Sequence, residues 1–413
     1  MAAGVEVVVT GIGAVTPLGG GVAGFRDAVL EGRSGVVTIT EFKNDDMPVH
    51  IGGMVRGGFD VTKLLSPEQI PHASRVVQMS LAAAAEALGP DPDAALRDRR
   101  RVGVVQGVCS GGLEVLTHEL DVLWNQSAGS LSSIAVPQLM DSATSAWIAQ
   151  KWNITGPAYC VATACATSMD SLGLAVDMIK SGRVDACLAG GGDAAVTRFV
   201  MSAFANARAL SRNNDNPALA SRPFDKERDG FVMGEAAVVL LLERRDRAEK
   251  RGAKILARLA GYGATNDAHH LTSPRPDGSG LAAAMKQALE AGGVAPTDVG
   301  FVSAHATSTE QGDVAEAAAL KAVFGSHVEK LPVGATKSLV GHSLGGAGGV
   351  SSMAAILAVT DGILTPCISY QNPDPDCAIN VVAGKAQRAK VSYAIANAAG
   401  FGGHNSTLLF GAP

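Results

Sequence analysis

Aromatic side chains are scarce, at 4% of 413 residues, whereas glycine occurs 49 times. A core with so few rings has to rest on aliphatic packing and on close backbone approach, which glycine permits. No long Lys/Arg block is present, and 34 basic against 39 acidic residues leave a formal charge of −5. That excludes the electrostatic footprint of a nucleic-acid binder. The six cysteines, at positions 109, 160, 165, 187, 367 and 377, show neither CxxC spacing nor the density of a disulfide framework. A reducing, cytoplasmic setting is expected, with at most one special thiol. No uninterrupted apolar run reaches the roughly 18 residues of a membrane span. The best candidate, SSMAAILAVTDGIL, is broken by Asp361 and Gly362. The opening MAAGVEVVVTGIG lacks a basic leader and a cleavage site, reads as a first strand, and points to a soluble protein without a membrane partner.

What the chain does have is 47% apolar residues, more than one core usually holds, so two domains or a duplicated one are expected. Short β-branched runs, glycine turns and Ala/Leu-rich stretches of helical spacing alternate from Val5 onward. The pattern predicts a mostly parallel sheet covered by helices. VEVVVTGIG, RRVGVVQGV and VDACLAGG read as strands, and residues 78–87 and 167–180 as helices. After AAVVLLLERRDRAEKRG the order begins again: strand ILARLAGYGATND, helix LAAAMKQALEAGG, strand VGFVSAHATST, helix DVAEAAALKAVFG. Two α/β halves, 1–250 and 251–413, are therefore expected, although identity between them is too faint to demonstrate a duplication. The breaker-rich stretch Leu210–Gly230 reads as an ordered excursion, a lid or a plain polar loop.

In YCVATACATSMDSLG an apolar strand, Tyr159–Thr163, runs against a helix starting near Ala166, with Cys165 at the joint. A helix amino terminus favours a thiolate there and can turn a backbone N–H toward an oxyanion. The competing reading is a small buried hydrophobe, the usual fate of a free cysteine. The other five cysteines read as structural.

Two further segments offer donors for an anion. In VSAHATSTEQGD, His305 ends a strand and is followed by the hydroxyls of Thr307, Ser308 and Thr309. In GATKSLVGHSLGGAGG, Lys337 and His342 share one glycine-rich loop before a helix. Each histidine could equally be a hydrogen-bonded structural residue, and Lys337 a surface lysine. GHSLGG is not a hydrolase elbow, because no strand adjoins the serine of Gly341-His342-Ser343-Leu344-Gly345. Adjacent His269 and His270 project apart, and no ligand recurs at metal spacing, so no metal is expected.

These segments together resemble the β-ketoacyl-carrier-protein synthases, the elongating condensing enzymes of fatty-acid and polyketide assembly. The resemblance spans nearly the whole chain. Its markers are VVVTGIGAVTPLG, TACATSMDSLG, RPFDKERDGFVMGEAA, DAHHLTSPRPDG, AHATSTEQGD, TKSLVGHSLGGAGG and NAAGFGGHNSTLLF. It implies a thiolase-like α/β fold, five layers in α-β-α-β-α order from two similar halves, and a dimer. By motif position it implies Cys165 as the acylated nucleophile, His305 and His342 as the histidine pair, and Lys337 as a supporting lysine matched to Glu316. Phe401 would be the gate whose N–H joins that of Cys165 in an oxyanion hole, and Thr307 and Thr309 would meet a phosphopantetheine arm. That arm belongs to the acyl carrier protein, the implied partner, so no cofactor of the enzyme's own is expected.

The chain departs from the family pattern at Ala306 and Glu310, where glycine and proline are common. At two expected acyl-pocket positions, Ser110 and Ala135, small side chains replace bulky ones, which suggests a longer or differently shaped pocket. Three readings follow: a type II polyketide or polyene condensing enzyme, a housekeeping fatty-acid elongation synthase, or a non-catalytic chain-length partner. Cys165 argues against the last, and the absence of a second catalytic cysteine in GFGGHN argues against a thiolase. The dimer mate would be an identical chain or a chain-length-factor-like subunit.

Overall fold

A computed structural model describes residues 4–413. The leader reading at residues 1–3 falls outside them. Ten strands form one sheet: β1 (Val7–Val15), β2 (Val102–Gly107), β3 (Ala158–Val161), β4 (Ala186–Asp193), β5 (Ala236–Arg244), β6 (Ala257–Asn266), β7 (Val299–Ser303), β8 (Val333–Gly334), β9 (Tyr393–Gly400) and β10 (His404–Gly411). Their order is 3-2-4-5-1-6-10-9-7-8. The first five strands and the last five therefore repeat one order, 3-2-4-5-1, which demonstrates the duplication that sequence identity left open. The sheet is mixed rather than mostly parallel: four neighbouring pairs run parallel and five antiparallel. The last two strands of each half return antiparallel beside each other, without the crossover helix that the alternating pattern implied.

Within the sheet the halves are joined by a short β1–β6 pairing, Val8 opposite Arg258 and Val9 opposite Ala257. Five helices complete the layers: α1 (Arg75–Leu88), α2 (Thr167–Lys180), α3 (Ser279–Gly292), α4 (Glu310–Phe324) and α5 (Ala347–Asp361). Helices α2 and α5 touch strands of both halves, α1 covers the outer face of the first half, and α3 with α4 covers that of the second. The order is α-β-α-β-α. Helix α5 is buried from Ala347 through Val359, which explains its apolar run on all sides.

Glycine is used in the same way in both halves. A side chain on Gly11 or Gly13 of β1 would come within 1.9 or 1.8 Å of a carbonyl oxygen of α1, and one on Gly261 or Gly263 of β6 within 2.0 or 2.1 Å of one on α3. These G-x-G steps let an outer helix lie against the first strand of each half. The stretch 210–230 is ordered and crosses between the halves: Arg222 N–H donates to Ser308 Oγ at 3.0 Å, and Phe224 N–H to Asp313 at 2.8 Å. It is an anchored excursion that braces the loop bearing His305.

Candidate active site

Strand β3 stops at Val161, two residues earlier than expected, and the chain passes through a single turn, Ala164–Ala166, before α2 begins at Thr167. Ala164 has φ 49°, a left-handed conformation strained for a residue with a side chain. The turn is held in place by Asp170, one helical turn on, which accepts hydrogen bonds from Thr163, from Tyr262 at 2.9 Å and from Ser406. Cys165 thus projects from a braced turn. Its backbone N–H and that of Phe401 both approach the sulfur. Gly400 has to be glycine there, since a side chain would stand 3.0 Å from the Cys165 nitrogen.

His305 lies beyond the end of β7, because the strand closes at Ser303 and the expected strand 299–309 becomes a loop. Glu316 on α4 fixes that loop by accepting the N–H groups of His305 at 2.8 Å and Ala306 at 2.7 Å, and Asn397 Nδ2 reaches it at 3.3 Å. Its oxygens are therefore taken by amides, and the expected match with Lys337 is an interaction of charges rather than a contact. Lys337 instead donates to the His305 carbonyl and stands 3.4 Å from its Nδ1. A proton donor at Nδ1 assigns the proton of neutral His305 to Nε2, the nitrogen left to face substrate.

His342 Nε2 lies 3.0 Å from Cys165 Sγ, and its Nδ1 has no hydrogen-bond partner among the described residues. The two imidazoles meet edge to face with ring centres 5.5 Å apart. Burial, followed by the Lys337 charge, holds both well below the ordinary imidazole range, so both are neutral at pH 7. Burial lowers Lys337 to about 8 against the pull of Glu316, and raises Glu316 against its two amide donors. The Cys165 thiol is pushed up to about 11 by burial, although Lys337 and the Phe401 N–H draw it down. Burial thus opposes the resting thiolate that a helix terminus favours, and the neutral His342 is the group in contact that is placed to accept the proton.

The donor atoms of Cys165, His305 and His342 lie within 4.8 Å of one another, a set a soft cation could ligate. The ammonium of Lys337 beside His305 opposes a cation there. His269 and His270 are exposed, and His270 Nδ1 accepts the N–H groups of Thr272 and Ser273. Thr307 and Thr309 are half-buried on the His305 loop with their hydroxyls 2.9 Å apart. Phe401 is 41% exposed and its ring centre is 6.1 Å from that of Phe204.

The two expected pocket positions are not brought to the site. Ser110 turns its hydroxyl onto the buried Asp193, and Ala135 is half-buried at the start of a surface helix, Ala135–Leu139. The apolar cluster around Cys165 contains Leu344, Met233 and Phe231, with Cys109, Leu113 and Phe204 packed against it. Cys109 and Leu113, on either side of Ser110 in sequence, are the residues of this segment that pack on that cluster. Asp170, Asn397 and Asp193 were missed; the signal for Asp193 was a carboxylate ending the otherwise apolar, glycine-rich strand LAGGGD.

A thiol on a strained turn, two neutral histidines, a buried lysine and paired amide donors inside a thiolase-like fold are the equipment of an acyl-transferring enzyme. Residues 5–248 match the β-ketoacyl synthase amino-terminal domain model and residues 256–371 the carboxy-terminal one. The chain is 38% identical over 407 residues to 3-oxoacyl-[acyl-carrier-protein] synthase 2 of Synechocystis sp., covering 98% of this chain and 97% of that one. Among solved structures, the ishigamide ketosynthase/chain length factor is 32% identical with a TM-score of 0.93, covering all of both chains. A type II polyketide synthase acyl-carrier protein in complex with its ketosynthase bound to the hexaketide is 31% identical with a TM-score of 0.90, again over all of both chains. The chain belongs to the β-ketoacyl synthase family and is a ketosynthase.

Proposed function

We propose that this ketosynthase carries out decarboxylative condensation of a malonyl-carrier protein with an acyl chain held on Cys165, in type II polyketide or polyene assembly. The observation that carries the reaction is Cys165 Sγ set 3.0 Å from a neutral His342, with two backbone N–H groups on the sulfur and His305 alongside. In loading, the thiol proton passes to His342 as sulfur attacks the carrier thioester. The C–S bond to the carrier breaks, and the proton leaves on the carrier thiol. In condensation, the bond from the malonyl methylene carbon to its carboxylate breaks and CO2 departs. The electron pair passes into an enolate whose oxygen takes hydrogen bonds from His305 and His342. The enolate carbon then attacks the acyl thioester, whose oxyanion meets the N–H groups of Cys165 and Phe401, and Cys165 leaves as a thiolate that takes a proton from water by way of His342. Each condensation thus consumes one proton from solvent, and no step changes the redox state of a group.

The polyketide reading draws on the likeness to the type II polyketide synthase ketosynthase bound to the hexaketide. The fatty-acid reading draws on the 38% identity to the Synechocystis enzyme. Intact-mass measurement after mixing with saturated and polyenoyl carrier thioesters of several lengths separates them. Long polyenoyl chains should load preferentially, by about tenfold or more over saturated chains of the same length. Preference for saturated chains would return the protein to fatty-acid elongation.

Strand β3 is the sheet's outer edge, unpaired on one side. Leu123, Trp124, Leu131, Val136 and Met140 expose their apolar side chains on the adjoining segment. Such an edge and patch need a cover, and the occupant is a second copy or a homologous chain-length subunit. Light scattering on the purified chain should give the mass of two chains, falling to one in Trp124→Glu. A monomer in the unaltered protein would make the homologous subunit the partner to test next by co-expression.

A further inference from the structure

The repeat of the two halves extends to individual active-site positions. The turn Ala164–Ala166 between β3 and α2 has its counterpart in the turn Leu344–Gly346 between β8 and α5, and Ala164 and Leu344 share the same strained φ, 49° and 47°. Gly345 therefore stands where Cys165 stands. Cys109 follows the end of β2 by two residues, as His305 follows the end of β7. Strand β4 ends on Asp193 where β9 ends on Gly400, the residue before the Phe401 amide. In the working half, the Cys165 and Phe401 N–H groups point at the sulfur and await an oxyanion. In the mirrored half an anion is already there. Asp193 is wholly buried, and its carboxylate accepts the Gly345 N–H at 2.7 Å, the Cys109 N–H at 3.1 Å, the Ser110 N–H at 3.0 Å and the Ser110 hydroxyl.

We propose that Asp193 is a positioning residue, a built-in anion filling the counterpart of the oxyanion site and tying the turn that follows His342 to the turn of Cys109 and Ser110, which packs on the apolar cluster around Cys165. The proposal rests on the reading of Cys165 and His342 as the reacting pair. Four donors converge on its two oxygens, an arrangement an amide cannot meet because its NH2 would oppose one of the N–H pairs. Burial raises the carboxyl to about 6, with the four donors holding it down, so it is ionised at neutral pH. No lysine or arginine pairs with it among the described residues, so backbone amides and one hydroxyl supply its compensation.

Two variants test this from opposite sides. Asp193→Asn removes the anion. Gly345→Ala keeps it but drives a methyl to 2.4 Å from its Oδ2, displacing it from the nest. Measured on malonyl-carrier protein, each should lower kcat for decarboxylation about 10- to 100-fold with KM changed less than about threefold, while loading of a short acyl chain, which uses His342 but not the enolate donors together, falls by a clearly smaller factor, about tenfold at most. Acyl mapping by mass on the unaltered enzyme accompanies the assay, so that an adduct away from Cys165 overturns the underlying reading rather than this one. Equal losses in loading and decarboxylation, or full decarboxylation in either folded variant, would reduce Asp193 to a structural residue. If Asp193→Asn fails to fold, Gly345→Ala carries the test alone.

Discussion

Cys165→Ala should abolish acyl transfer, by about 10⁴-fold or more, while leaving the enzyme folded and still able to release CO2 from malonyl-carrier protein. The sulfur is the one atom that forms the acyl bond, so its loss has no partial substitute. Alanine fits the turn, since the neighbouring Ala164 and Ala166 already build it without larger side chains, and the vacated space costs about 1 kcal/mol. His305 and the buried Lys337 stay in place, because their partners are Glu316 and the His305 carbonyl, and His342, which loses its contact with the thiol, is still held by its backbone bond to Val232 and by the rings of Phe231 and His305. Decarboxylation should therefore run uncoupled from condensation. Intact mass should show no adduct on the variant, with CO2 release within about tenfold of the unaltered enzyme. An acyl adduct persisting on Cys109, which packs against the same apolar cluster, would move the nucleophile there.

The nucleophile was legible in the sequence because it depends on local order: an apolar strand, small residues and a helix, which fix a joint whatever the rest of the chain does. The histidines were legible as residues, and as a pair only through the family motifs, since it is the pairing of β7 with β8 inside the second half that brings His305 and His342 to within ring contact. The resting state of the thiol was read from local order alone. A helix terminus is visible in sequence, whereas the desolvation that overrides it comes from Leu344, Phe231 and Met233, distant in the chain. Glu316 was recognised by motif and matched to Lys337, with which it interacts through charge, but its amide capping of His305 and Ala306 was not foreseen, because that depends on a loop with Ala306 at φ 45° that no propensity foretells. The duplication hid behind divergent side chains, yet left a trace in the paired G-x-G steps of TGIG and AGYG, where the backbone contact keeps the glycines and nothing else.

Substitution of the two histidines should separate functions that the site brings within 4.8 Å of each other. His305 is held by Lys337 at Nδ1 and turns Nε2 toward substrate, whereas His342 directs Nε2 to the sulfur. His305→Ala should thus lower malonyl decarboxylation about 10²- to 10³-fold, the usual cost of one missing oxyanion donor, and leave acyl loading within a few-fold. His342→Ala should lower decarboxylation by a similar factor and also slow loading about 10- to 100-fold, because a thiol raised to about 11 then has no base in contact. The loading defect should shrink as pH rises, since more of the thiol ionises without help. With the positive Lys337 retained, the same rise in pH should not restore decarboxylation, and above about 8 the lysine itself begins to lose its proton. Pre-steady-state loading followed by mass, beside CO2 release across pH 6 to 9, distinguishes the two. Equal loading in both variants would take from His342 the role of base and leave activation of Cys165 to Lys337 and the backbone amides.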